Sequence, residues 1–536
     1  MAHHDLPPAS TSLPPRDVDR RSFLKRAGAA CLSATAATSL GAYEGSTASA
    51  KSTSGLKPKY GGTLTLGVLG GGSGDTLNPC RAIANIDWAR LYQLYEPLVY
   101  YDVNAVPQPW LATEVTPSKG NKLWTIRLRK GVTFHNGKPL TAADVLYTFQ
   151  TAVNPKTASD GASALAGLDV AGMRVRDNLT IEIPFLKPFA SFYEVLPAYY
   201  YSIIPEGMSP STPHPIGTGP FMFKGFVPGQ ESVFVRNPNY WRHGLPYLDT
   251  IAIQDFADET SLLNALDSNQ VDAISGLSAS SAPIVTSSGG VVTVSTGASW
   301  NTFVMNTKTA PFTDVRVRQA LRLLVDRPSM RSRVVNGHGA LGNDVFGIVD
   351  PVYDHSLPQR TQDIDQAKSL LRAAGHAHLT LDLVVAPIEA GIIEMAQVLA
   401  QQASAANVTI KIRQVTETAL FGPNFGKWPF TVDFWFWENY FPQVLGSTLP
   451  YSSTPETQFH NARYAQLYTE AQAAVDDSLR TELAHEMQMI DYDQGGYITP
   501  FFLPSIVGTG AHVHGIVTSL TGVDFANYNF STAWKT

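Results

Sequence analysis

The sequence predicts a multidomain α/β protein, and three observations carry that prediction. The chain is 536 residues long and 58.0 kDa, about three times the commonest domain size. Its composition, 44% apolar, 10% aromatic and 16% charged, is that of a folded globular chain. Beyond about residue 300, helix-patterned and strand-patterned segments alternate at lengths that suit crossover units in a three-layer lobe.

Taken in order, T-L-T-L-G-V at 63 to 68 alternates as a first strand, and G-G-G-S-G-D behind it reads as a tight turn with no phosphate-cradling signature. L-W-T-I-R-L-R at 123 to 129 is a half-buried strand, and Thr141 with Asp144 forms a capping box for a helix, so a second sheet-and-helix region is expected between 88 and 208. Pro184, Pro188, Pro197 and Pro205 keep the chain extended or turning beyond it. Strands follow near 232 to 236 and 249 to 253, with a helix around 259 to 267. Asp314 caps V-R-V-R-Q-A-L-R-L-L, whose apolar stripe leaves Arg316, Arg318 and Arg322 for the wetter side. Helices at 364 to 374 and 389 to 405 alternate with strands at 379 to 385 and 408 to 415, and one long helix is expected over 464 to 491.

The first fifty residues have another pattern. Asp19 to Lys25 reads D-R-R-S-F-L-K, followed by a small-residue apolar stretch and A-S-A ending at Ala50, the order of a signal peptide. Arg20 and Arg21 with Phe23, Leu24 and Lys25 resemble the twin-arginine export signal. Cys31 lies ahead of most of the apolar region, the wrong place for lipidation. Removing residues 1–50 leaves 34 basic against 41 acidic groups, which provides no whole-chain footprint for nucleic acid. No later stretch has the unbroken apolar length of a membrane span. With two cysteines, 31 and 80, a disulfide framework or a multi-thiol metal site is excluded.

Chemistry-bearing motifs are scarce. There is no G-x-S-x-G, H-E-x-x-H or P-loop, which leaves only acid–base pairs assembled from distant segments for an enzyme reading. His512 and His514 in A-H-V-H-G share a strand face, either as metal ligands or as ordinary strand histidines. No cofactor and no resident metal is expected. The most unusual stretch is T-V-D-F-W-F-W-E-N-Y-F-P, residues 431 to 442. Strand alternation sends Trp435 and Trp437 to one face and Phe434, Phe436 and Glu438 to the other; a strand ending at Trp437 frees Glu438 to turn into a cleft. Aromatics offer a ligand apolar surface and a carboxylate offers a cationic group a directional partner. A buried strand with a solvent-facing carboxylate is the competing reading, and Trp300 and Asn301 invite the same two.

Several ordered motifs resemble one family. L-Y-E-P-L-V-Y at 94 to 100, L-R-K-G-V-T-F-H-N-G-K-P-L-T-A-A-D-V at 128 to 145, G-T-G-P-F at 217 to 221, R-N-P-N-Y-W at 236 to 241, L-P-Y-L-D at 245 to 249 and P-F-T-D-V-R-V-R-Q-A-L at 311 to 321 are similar to hallmarks of the extracellular solute-binding proteins of peptide- and nickel-type ABC importers. The resemblance implies a two-lobed periplasmic-binding-protein clamshell with an additional α/β domain. Lobe one takes 60–87, 209–300 and 500–536, the extra domain 88–208 and lobe two 301–499, with an export signal at 1–50. It further implies a non-catalytic, monomeric subunit, outside the cytoplasm, that hands a peptide or peptide-like solute to a membrane permease. Glu438 matches the acidic residue that pairs with a peptide amino group, flanked by Trp435, Trp437, Asn439, Trp300 and Asn301 as candidate ligand-binding residues. Members commonly carry Asp at the positions of Glu438 and Phe441, whereas this chain keeps one lengthened carboxylate and one aromatic. That departure leaves an opine, a sugar conjugate or a chelated nickel beside the peptide reading, and a secreted hydrolase or metal-dependent enzyme stands as the alternative class.

Overall fold

The computed structural model describes residues 56–536 apart from Ile83, Ala158 and the side chain of Asp160. The export signal, the arginine pair and Cys31 lie outside the described residues. Three sheets organise the chain. In the seven-stranded sheet, Thr63–Leu69 runs parallel to both Thr250–Phe256 and Ala273–Ser275. Glu231–Arg236 and Phe221–Val227 extend one side antiparallel, while Ser505–Thr509 and Val291–Ser295 complete the other. The five-stranded sheet orders Val408–Gln414, Leu379–Val385, Phe430–Trp435, Trp300–Met305 and Tyr497–Ile498. A separate antiparallel sheet holds Ala112–Ser118, Leu123–Leu128, Thr180–Pro184 and Arg174–Asp177.

Each sheet has its own apolar core. Leu64, Leu66, Ile251 and Ile253 pack under the seven-stranded sheet with the helix Asn85–Leu94, which straddles the boundary expected at residue 88. Trp124, Ile126, Phe149 and Ile183 fill the four-stranded region. Phe303, Leu321, Leu383, Met395 and Val432 fill the five-stranded one, where apolar strand faces meet helices in crossover order. The predicted capping box forms, with the Asp144 carboxylate accepting from the Thr141 backbone N–H at 2.8 Å and Thr141 Oγ1 facing the N3 backbone.

Two local expectations fail for identifiable reasons. The helix expected over 464 to 491 is two helices, Ala462–Ala473 and Asp477–Gln494. Asp476 accepts from the Leu479 N–H and so starts a new helix instead of continuing the old one. Arg318 and Arg322 are buried, 5% and 0% exposed, and only Arg316 faces water, bound to Asp314. Arg318 donates to the Gln494 carbonyl at 2.6 Å, and Arg322 to the carbonyls of Tyr492 and Tyr497, both at 2.9 Å. The unpaired carbonyls at the end of the Asp477–Gln494 helix attract guanidinium groups that a helical pattern alone would leave in solvent.

The chain passes between the seven- and five-stranded sheets through 296–299 and again through 499–504, and these passages touch. Leu503 N–H donates to the Ser299 carbonyl at 2.7 Å, and Trp300 bridges to Phe502. Gly297 has φ +64°, and a Cβ there would collide with the Leu503 carbonyl, so close pairing of the passages requires glycine.

Candidate functional site

The unusual aromatic segment begins as a strand, Phe430–Trp435, and leaves the sheet directly after Trp435. Ending two residues earlier than expected breaks the alternation, and Trp435 and Trp437 go to different places. Trp435 lies opposite Trp300 in register; the two rings stack at 6.3 Å and Phe346 stacks on Trp300 at 5.6 Å. Trp300 is 1% exposed, a core residue of the five-stranded region. Asn301 is fully buried, its Nδ2 donating to the Ala390 carbonyl at 3.2 Å and its Oδ1 without a partner. Trp435 Nε1 and Tyr497 OH both donate to Glu456 Oε1, at 2.8 and 2.7 Å. Neighbouring Asp433 is pushed well above the carboxylate range, first by burial and then by Glu456.

Glu438 and Asn439 instead meet the region of the four-stranded sheet. Asn439 stands just ahead of the helix Tyr440–Ser447 without a capping hydrogen bond from its side chain, accepts from Tyr101 OH at 2.9 Å and donates to Asp350 Oδ2 at 2.9 Å, where the Tyr440 N–H also lands at 2.7 Å. The Glu438 carboxylate is half-buried yet surrounded by protein, and burial pushes it up to about 7. It accepts no hydrogen bond and forms no ion pair among the described residues. Its field reaches the buried hydroxyls of Tyr101, Tyr200 and Tyr201. Arg480, which joins the two sides of this junction, is committed to Glu194 at 2.8 Å and lies 4.3 Å over the Phe441 ring. A carboxylate so enclosed, with no cation of its own, suits an incoming ammonium or guanidinium group.

A cavity of about 410 Å³ opens between the seven- and five-stranded regions. Glu389 faces it from one side and Asp524 from the other, with Arg333, Phe436, Ser278 and Ser505 among its walls. Asp524 accepts from Ser275 Oγ at 2.6 Å and the Gly276 N–H at 2.9 Å, while among the described residues Glu389 accepts only from the Ala390 N–H at 2.9 Å. Burial raises Glu389, and the Asp524 field adds to the rise. None of the six expected binding residues lines this space. Glu389 and Asp524 escaped sequence reasoning because they stand 135 positions apart in the chain with no motif around either; the A-P-I-E-A-G turn between a predicted strand and a predicted helix was the only local signal.

The repeated hallmark motifs converge elsewhere. Glu96, 3% exposed, accepts from Trp110 Nε1 at 2.7 Å, Tyr240 OH at 2.8 Å, Thr218 Oγ1 at 2.9 Å and Trp241 Nε1 at 3.0 Å. His135 joins the same node: its Nδ1 accepts from the Gly217 N–H at 3.2 Å, its Nε2 lies 3.1 Å from the Gly219 carbonyl, and burial lowers it to about 4. A Cβ at Gly217 or Gly219 would overlap the carbonyls closing the Asn85–Leu94 helix, which accounts for the glycines of G-T-G-P-F. His512, by contrast, sits 2.7 Å from Asp272, and His514 packs on Trp534 at 4.4 Å; the two do not form a ligand pair. Cys80 is buried.

With this geometry in view, the comparisons are specific. The middle region of the bacterial extracellular solute-binding proteins, family 5, matches residues 106–459. The chain belongs to that family. Among curated relatives, the periplasmic oligopeptide-binding protein OppA of Escherichia coli K12 is 29% identical over 331 residues, 54% of this chain and 59% of that protein. Heme-binding protein A of Haemophilus influenzae is 26% identical over 484 residues, 83% of this chain and 87% of that protein. The chain thus spans somewhat under two thirds of OppA and most of the heme-binding relative. Among solved structures, the binding protein AgaA of A. tumefaciens R10, in complex with agropinic acid, has a TM-score of 0.74 and 21% identity, covering 89% of this chain and 99% of that one. The likeness shows the fold, a two-lobed periplasmic-binding-protein clamshell with an additional α/β domain. In family 5 terms, the matched stretch holds Glu438, Glu389 and the node residues Thr218, Tyr240 and Trp241, while Glu96 lies ahead of it.

Proposed function

We propose that this family 5 protein is the non-catalytic, extracytoplasmic solute-binding subunit of an ABC importer, and that its solute is a peptide-like molecule carrying an amine. The observation that carries this reading is Glu438: an enclosed carboxylate raised to about 7 by burial, with no cation among the described residues to neutralise it. A ligand ammonium supplies that cation, and the desolvated pair then favours the closed arrangement over the open one. About 1.4 kcal/mol of differential binding gives a tenfold preference for closure, which one charge-assisted hydrogen bond meets. Support comes from relatives named as oligopeptide-binding proteins and from the peptide STSA bound in the Helicobacter pylori neighbour. The division into lobe one (60–87, 209–300, 500–536), extra domain (88–208) and lobe two (301–499) accords with the three sheets. The helix Asn85–Leu94 is better counted with lobe one, on whose sheet it packs. The protein acts as a monomer, is exported by the twin-arginine route and docks its closed form on a permease.

The test is mass spectrometry of the solute that co-purifies, followed by calorimetric titration of that solute into wild type and Glu438→Gln. The expected loss is about 1.5–3 kcal/mol for a hydrogen bond to a charged group. Equal affinity for the two proteins removes Glu438 from the site, and a co-purified solute without a basic nitrogen overturns the amine reading.

A further inference from the structure

The cavity of about 410 Å³ between the seven- and five-stranded regions takes no part in the Glu438 reading, yet its walls have a consistent chemistry. Its size is that of a small-molecule site. Among the described residues, the ionisable side chains that line it are Glu389, Glu394, Asp524 and Arg333: three carboxylates against one guanidinium, a formal net of -2. Arg333 does not neutralise the excess. Its Nη1 donates to Gln401 Oε1 at 2.6 Å, and it forms no ion pair with the three carboxylates among the described residues. Glu394 is exposed on the helix Ile392–Ser404, whereas Glu389 and Asp524 are half-buried.

The two half-buried carboxylates are held from opposite sides. Asp524 is fixed to the seven-stranded sheet by neutral donors: Ser505 Oγ at 2.5 Å, Ser275 Oγ at 2.6 Å and the Gly276 N–H at 2.9 Å. Such donors orient the carboxylate and leave its charge in place. Glu389 belongs to the turn after the strand Leu379–Val385, and Asn301 pins that turn to the five-stranded sheet by donating from Nδ2 to the Ala390 carbonyl at 3.2 Å. Burial raises Glu389 first and the Asp524 field adds to the rise, so the two carboxylates act on each other across the space.

Two observations besides the acids bear on the occupant. Phe436 lines the same cavity, and an aromatic ring in a wall with carboxylates favours an organic cation. Asn301 Oδ1, fully buried behind the Ala390 wall, is a further acceptor that no described residue uses. No three His, Cys, Asp or Glu side chains among the described residues come together as metal ligands, so the cation that suits this space is organic.

We propose that this cavity binds a compact solute with two cationic nitrogens, one engaging Glu389 and the other Asp524, and that such a solute ties the five-stranded region to the seven-stranded one. The inference goes beyond the Glu438 reading and shares with it only the protein's role as a solute-binding subunit. Each carboxylate accepts a charge-assisted hydrogen bond, and a monocation leaves one of the two unpaired.

The experiment is calorimetric titration of the terminal diamines of propane through hexane, each beside the monoamine of the same length, into wild type, Glu389→Gln and Glu438→Gln. At least one diamine is expected to bind wild type about tenfold or more tightly than its monoamine. Glu389→Gln keeps an oxygen for the Ala390 N–H, so it is expected to fold and to bring that ratio close to one, while Glu438→Gln leaves the ratio unchanged. A wild type that prefers no diamine over its monoamine, or binds none of them, overturns the dication site. That outcome needs no variant to fold, and it leaves the amine reading to the co-purified solute and the Glu438 variant. A ratio kept in folded Glu389→Gln overturns the dication site as well, and its loss in Glu438→Gln places the second cation there instead.

Discussion

Glu96 and Glu438 are both carboxylates enclosed by protein and both raised by burial, yet they have opposite surroundings. Glu96 collects donors from Thr218, Tyr240 and Trp241, drawn from two of the family's hallmark motifs, and from Trp110 outside them. Glu438 collects none among the described residues. The first side chain has its demands met by the fold, and its cost of burial is offset by four hydrogen bonds made inside the molecule. The second has them unmet, and its burial is compensated only when something arrives. The difference separates what a motif marks from what a site does: the most recognisable residues of the chain hold the architecture, and the proposed ligand contact lies in a segment where this chain departs from the family pattern.

Glu96→Ala is expected to give the largest effect, because it strands four donors at once, two of them buried and two partly buried. We expect a loss of about 3–5 kcal/mol in chemical denaturation, with ligand affinity of the folded fraction unchanged. Glu438→Gln is expected to do the reverse, leaving the denaturation midpoint close to wild type while weakening an amine by about 1.5–3 kcal/mol. If both variants lose stability equally, the distinction between the two carboxylates fails.

Titration sharpens the comparison because the two regions have opposite signs. Glu438 has its folded pKa raised from 4.5 to about 7, so the unfolded chain gives up this proton first and stability contributed at Glu438 falls as pH rises through that window. His135, at the Glu96 node, has its pKa lowered from 6.5 to about 4, so stability there falls as pH drops through that window. Glu438→Gln should remove the first slope and His135→Asn the second, each read from denaturation curves across pH 4 to 8. Affinity for a permanently charged amine should rise toward a plateau above pH 7, by up to about 1.4 kcal/mol per pH unit below it. A flat affinity profile argues against Glu438 as the titrating partner. The smallest effect belongs to Thr218→Val, which removes one of the four donors to Glu96 and should cost about 1 kcal/mol in the same denaturation assay.

Much of the fold was legible because it is local. The capping box at Thr141, the helix Glu259–Asp267 and the strands Leu379–Val385 and Val408–Gln414 follow from periodicity and cap residues over a few positions. What escaped was set at long range. Arg318 and Arg322 are drawn inward by carbonyls more than 150 residues away, and no helical pattern contains that information. The separation of Trp435 from Trp437 depended on where one strand leaves its sheet, a boundary decided by pairing with Trp300–Met305. Glu389 and Asp524 line one cavity because the five- and seven-stranded regions come together there.

The order of strands in the seven-stranded sheet also governs when this protein finishes folding. Ser505–Thr509 is an interior strand, flanked by Ala273–Ser275 and Val291–Ser295, and Lys535 near the chain end reaches back to Thr63 and Asp272. Before Ser505–Thr509 has been made, Val291–Ser295 lacks its partner and the edge of Ala273–Ser275 is open. Both strands are open to wrong partners until residues 505–509 reach them. The seven-stranded sheet therefore closes only after residue 509 has been made, and the interval before that is when its unpaired strands are most open to chaperones and to aggregation.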